Sequence, residues 1–214
     1  MSAPPDGPAG AGGAWDASRA AFADAAGWFA RTTAAVGDRW AGPGLGEWDV
    51  RALVGHTSRS LLTVEEYLGR PAAGAQVGSP AGYVRATRAI AAGPAVAQRG
   101  RDAGAALGAE PAAAVAALAG RVVALVGTCD GTELLTTVAG GMRLAQYLPT
   151  RTFELTVHTA DLAAALGEPL EVPASAAAQA LALVSDLAVG DGRAGPLLLA
   201  ATGRRGLPPG WSVL

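Results

Sequence analysis

The chain has 214 residues, half of them apolar and only 5% aromatic, with a formal net charge of −2. That length suits one domain with a real core, or one domain plus a small appendage. All 16 basic residues are arginine and they do not cluster, which excludes the basic face of a nucleic-acid binder, and no apolar run is long enough to span a bilayer.

Residues 1–13 (MSAPPDGPAGAGG) hold proline, glycine and alanine without apolar period and predict a disordered tail. Residues 14–36 predict the first helix, because Trp15, Phe22, Phe29 and Val36 recur at seven-residue spacing and form one stripe. Asp49 is placed to cap a second helix running to about Leu68, whose face Leu53, His56, Ser60, Thr63, Tyr67 puts His56 in line with buried positions. A breaker-rich loop follows to Pro80. Residues 81–107 read as helical, interrupted at Gly93-Pro94 and weakened by Gly100, Gly104 and Gly108. Pro111 suits the first position of a helix over 111–127.

Thr132 to Val138 (TELLTTV) predicts a short strand between Asp130-Gly131 and Gly140-Gly141. A long helix is expected from about Arg143 to Leu166, stopped by Gly167, and a further one from Pro173 to Val189. The last residues predict a short element, a turn at Pro208-Pro209-Gly210 and a strand at Trp211–Leu214 that would pair with 132–138. The domain reading is a tail at 1–13, a helix bundle over 14–167, and a C-terminal helix and strand packed on it over 168–214. Cys129 is the sole cysteine; this and the lack of a signal-peptide pattern fit a reducing cytoplasm.

The chemistry concentrates in YLPTRTFELTVHTAD, residues 147–161. On a helix, Tyr147, Arg151, Glu154, His158 and Asp161 follow steps of four, three, four and three, forming one polar stripe. Glu154 and His158 are ready metal ligands, and the only other histidine is His56. Such a pair is equally at home as a solvent-facing i,i+4 contact, and His56 alone reads as a satisfied core histidine. A His2Glu set with open positions is the pattern of a catalytic site, and it suits zinc, and equally nickel or ferrous iron. Arg151 is either a carboxylate clamp or an ion-pair partner of Glu154. Arg59 is a weaker anion-clamp candidate, with surface exposure its alternative. Asp161 would orient His158 or stand exposed. Tyr147 reads as a wall residue and Cys129 as a small buried residue.

The segments GLGEWDVRALVGHTSRSLL (44–62) and MRLAQYLPTRTFELTVHTADLAAALG (142–167) resemble the N-terminal metal-binding domain of mycothiol-dependent maleylpyruvate isomerases, of the DinB/YfiT-like superfamily. The closing TGRRGLPPGWSVL resembles the end of short actinobacterial members. The resemblance implies a mostly α fold: an up-down-down-up four-helix bundle with extra helices and a minor β-ribbon near the C-terminus. It implies His56, Glu154 and His158 as ligands of a divalent metal, with zinc taken first and nickel or iron as alternatives. Arg151 and Arg59 become candidate catalytic residues, and mycothiol the candidate thiol. The expected activity is thiol-dependent isomerisation or S-transfer on a small carboxylate-bearing substrate, with no nucleic-acid or membrane partner. The alternative is a non-catalytic metal-binding or sensing bundle that forms a homodimer.

Overall fold

The computed structural model describes residues 9–91, 93 and 95–214. Among these, eight α-helices and one two-stranded antiparallel sheet appear: α1 (Ala9–Ala34), α2 (Val50–Leu68), α3 (Pro80–Ala91), α4 (Ala95–Ala106), α5 (Pro111–Gly127), β1 (Leu134–Thr137), β2 (Gly140–Arg143), α6 (Leu144–Leu166), α7 (Ala174–Gly190) and α8 (Ala194–Ala201). Helix α1 begins at Ala9, five residues before the expected start, and runs through Gly10, Gly12 and Gly13. The rest of the expected tail, residues 1–8, lies outside the described residues.

Helices α1, α2, α5 and α6 form the bundle, and side-chain contacts give their directions. Arg39 Nη1, just after α1, donates to Leu166 O at the end of α6 (2.7 Å), so these two helices run together. Tyr147 Oη, early in α6, donates to Thr63 Oγ1, late in α2 (2.9 Å), so α2 runs against α6. Arg19 in α1 reaches Gly127 O at the end of α5, and Arg121 pairs with Glu65 late in α2. The order is up-down-down-up. The predicted stripe Trp15, Phe22, Phe29, Val36 is buried, and it meets Leu53, Leu61, Val122, Leu148, Leu155 and Leu162 in one core.

Local signals place the boundaries. The Asp49 carboxylate accepts from Ala52 N (2.7 Å), which caps α2. Gly167, at φ 69°, closes α6 in the left-handed conformation. Pro149 lies inside α6, beyond the first turn, and the helix runs through it.

The glycines of α4 act as contacts. A Cβ on Gly55 would stand 2.1 Å from Gly104 N, and one on Gly100 would stand 2.8 Å from the Trp48 ring. Backbone therefore meets backbone between α2 and α4, and Arg51 Nε donates to Gly104 O across the contact (2.9 Å). The expectation that these glycines only weaken the helix is corrected: they let α4 dock where a side chain could not.

The strand prediction is half right. β1 forms, but its partner is β2, with Thr137 opposite Gly140 across a two-residue turn. The Arg70–Val77 loop covers the hairpin, through Thr136 N to Arg70 O and Gln76 N to Gly141 O, so no edge remains for residues 211–214. Trp211–Leu214 accordingly form no strand. Val213 is buried instead in a small second cluster with Phe153, Leu183 and Leu187. No single helix among the described residues is long and apolar enough to cross a membrane.

Candidate metal centre

The antiparallel run of α2 and α6 brings His56 against the second half of α6. The His56 and His158 rings meet edge to face, with centroids 4.8 Å apart. Glu154, one turn before His158, places Oε2 3.2 Å from His158 Nε2. One ligand atom from each of the three residues lies within 4.8 Å of the others, and all three side chains are half-buried. On its other side the His158 ring meets Asp161, with Nδ1 3.1 Å from Oδ2. Asp161 therefore accepts from Nδ1–H and leaves Nε2 facing Glu154 and His56, where a metal would displace its proton.

The electrostatics follow from this packing. Burial, then the neighbouring His158, pulls His56 down to a pKa of about 4, and its Nδ1 is buried without a hydrogen-bond partner. Burial would lower His158 too, but Asp161 and Glu154 outweigh it and hold it up at about 9. Burial would raise Glu154, but the His158 contact and the Arg151 charge outweigh it and bring it well below the usual carboxylate range. One neutral imidazole, one ionised carboxylate and one imidazole oriented by an acid make a donor set for a divalent cation. The orphaned His56 Nδ1 is the kind of buried polar atom that an ion or its water would satisfy.

These residues form part of the wall of a cavity of about 610 Å³. Arg151 and Arg59, the two predicted clamps, also line it. Arg151 forms no ion pair with Glu154 among the described residues; its guanidinium lies 5.0 Å from the Tyr147 ring centroid and 5.4 Å from that of Tyr83. Cation–π contact of this kind holds a guanidinium without neutralising it. Arg59 is half-buried, not surface-exposed. Tyr147 is fully buried, and burial pushes its hydroxyl pKa up. Cys129 lies apart, its thiol pKa raised by burial, with Sγ toward Leu125 O.

Several wall residues escaped the sequence reading. Trp48 stacks on His56 at 4.5 Å between centroids and donates Nε1–H to Ala97 O, so it ties the ligand to α4. Helix α3 contributes Tyr83, Thr87 and Ile90, and α4 contributes Arg99. The steps of four and three from Tyr83 to Ile90 were the available signal.

The family model for the mycothiol maleylpyruvate isomerase N-terminal domain matches residues 19–163, about two thirds of the chain. The chain belongs to this family. It is a family of metal-binding, mycothiol-associated domains, and the matched span contains His56, Glu154 and His158. No curated protein and no solved structure matches the chain.

Proposed function

We propose that this member of the mycothiol maleylpyruvate isomerase N-terminal domain family binds a divalent metal, zinc first among the candidates, through His56, Glu154 and His158. On this reading it is a thiol-using isomerase or S-transferase acting on a small carboxylate-bearing substrate. The observation that carries the proposal is the shared cavity: the His-Glu-His cluster, Arg151 and Arg59 open into one space. A metal-sensing bundle has no need of unneutralised guanidiniums beside its ligands, whereas an enzyme acting on an acid does. The bound metal would supply a Lewis acid for a thiolate or a carbonyl oxygen.

The chain's own residues do the rest. Asp161 fixes the tautomer of His158. Trp48 fixes the plane of His56. Arg151, braced by Tyr83 and Tyr147, presents its charge to a substrate carboxylate. Tyr67 and Tyr83 wall the space and limit water. At about 610 Å³ the cavity has room for a small acid and a thiol together.

The deciding experiment is elemental analysis of the purified protein beside His158→Ala. The variant is expected to lose most of the metal; equal content in both removes the site. Thermal-shift measurements of the metal-loaded protein with mycothiol test the thiol. A rise in melting temperature that His158→Ala abolishes supports the reading, and no shift removes the thiol from it.

A further inference from the structure

The mouth of the cavity carries a feature that a small polar acid does not explain. Ile90, Val138 and Leu214 all line it, yet they are 49%, 58% and 56% exposed. They come from three separate segments: the end of α3, the turn of the β1–β2 hairpin, and the final residues. Single exposed aliphatic side chains are ordinary, but three around one opening form an apolar rim.

The third of them is held in place deliberately. Arg88 Nη2 donates to Val213 O (2.8 Å) and also pairs with the Asp191 carboxylate, which Arg85 grips from its other oxygen (2.8 Å). Arg193 binds Ser212 O, and Val213 is buried beneath. Residues 212–214 are thus strapped across the edge of the cavity, and Leu214 is set at its mouth. Of the four lining arginines, Arg88 is paired with Asp191, which it shares with Arg85. Arg59, Arg99 and Arg151 have no carboxylate partner among the described residues. Free positive charge within and aliphatic side chains at the entrance describe an amphiphilic occupant.

We infer that the cavity selects free organic acids with an apolar chain, the carboxylate held by the unpaired arginines and the chain leaving past Ile90, Val138 and Leu214. This rests on the carboxylate reading above and extends it to the other end of the substrate.

The test uses the full-length, metal-loaded protein and calorimetric titration with propionate, butyrate, hexanoate and octanoate below their micellar concentrations. Burying one methylene completely strengthens binding about fourfold, so contact with a half-open rim gives roughly twofold per methylene. A double variant Val138→Asp, Leu214→Asp should flatten that gradient, while unchanged metal content shows the fold intact. Equal affinity for all four acids overturns the inference and leaves the metal and thiol reading untouched. A gradient that survives in the double variant also overturns it, since the chain then binds elsewhere. Absence of binding by every acid overturns it together with the carboxylate reading.

Discussion

Gly55→Ala tests whether the backbone contact between α2 and α4 supports the metal cluster. The new Cβ would lie 2.1 Å from Gly104 N and 2.5 Å from Gly104 Cα, both backbone atoms that no rotamer change can move. Helix α4 must retreat by about 1 Å to restore ordinary contact, and overpacking of this kind costs about 1–3 kcal/mol. Better helix propensity of alanine returns about 1 kcal/mol, leaving a net loss of up to about 2 kcal/mol. For a chain of this size that lowers the melting temperature by up to about 6 °C. The control is Gly120→Ala in α5, where a Cβ meets nothing within 4 Å. It gains propensity without a clash and should match or exceed the parent. Differential scanning calorimetry of both variants decides. The effect should reach the site as well, because Trp48 touches Gly100 of α4 on one side and His56 on the other. Metal affinity of Gly55→Ala should therefore fall alongside stability. A Gly55→Ala protein as stable as Gly120→Ala would refute the packing argument.

Three further outcomes are expected. Asp161→Asn keeps the shape at His158 but loses the carboxylate that fixes its tautomer, so metal affinity should fall about 10–100-fold in competition with a chromogenic chelator. Arg151→Gln should leave metal content unchanged while weakening binding of a small carboxylate, since Arg151 touches Tyr83 and Tyr147 but no ligand; equal carboxylate affinity in titration would remove it from the clamp. The chelator-treated protein should have a bell-shaped dependence of stability on pH in urea titrations. His56 has a folded pKa of about 4 against 6.5 unfolded, so the unfolded chain binds its proton more readily and stability falls on acidification from 6.5 towards 4. His158 has a folded pKa of about 9, so its contribution is complete below 6.5 and fades as pH rises through 9. His56→Ala should remove the acid limb and His158→Ala the alkaline one.

The sequence exposed what depends on periodicity. The α1 stripe and the polar stripe of α6 repeat with the helix, the Asp49 cap and the Gly167 stop mark helix ends by residue type, and each appears where its place in the chain put it. Bringing His56 to Glu154 and His158 needed the resemblance as well, since spacing cannot pair residues a hundred positions apart. What stayed hidden depends on partners in space. β2 begins with two glycines and looks like a breaker. Its second, Gly141, is required because a Cβ there would stand 1.9 Å from Gly74 O, under the loop that covers the hairpin. Gly100 and Gly104 looked like flaws in α4 until Trp48 and Gly55 were seen against them. Trp211–Leu214 have the composition of a strand, and only the capped hairpin edge denies them a ladder.

The same distinction explains why the ligands were easier to find than the cavity. Two of the three ligands sit on one helix, where a step of four brings them together whatever surrounds them. The cavity walls come from α2, α3, α4, α6, the hairpin turn and the last residues, and no single segment repeats the pattern. Arg99 has meaning only because α4 docks on α2 through glycine. Leu214 has meaning only because Arg88 and Arg193 hold the strand-like end in place. Changes to the lining side chains Tyr83, Thr87 and Ile90 of α3, Arg99 of α4 or Leu214 can therefore alter what the cavity accepts while the His-Glu-His cluster and the glycine contact of α4 stay as they are. Selectivity should accordingly respond to substitutions at these positions at constant metal content, and substitutions of Glu154, His158 or Asp161 should move metal content first.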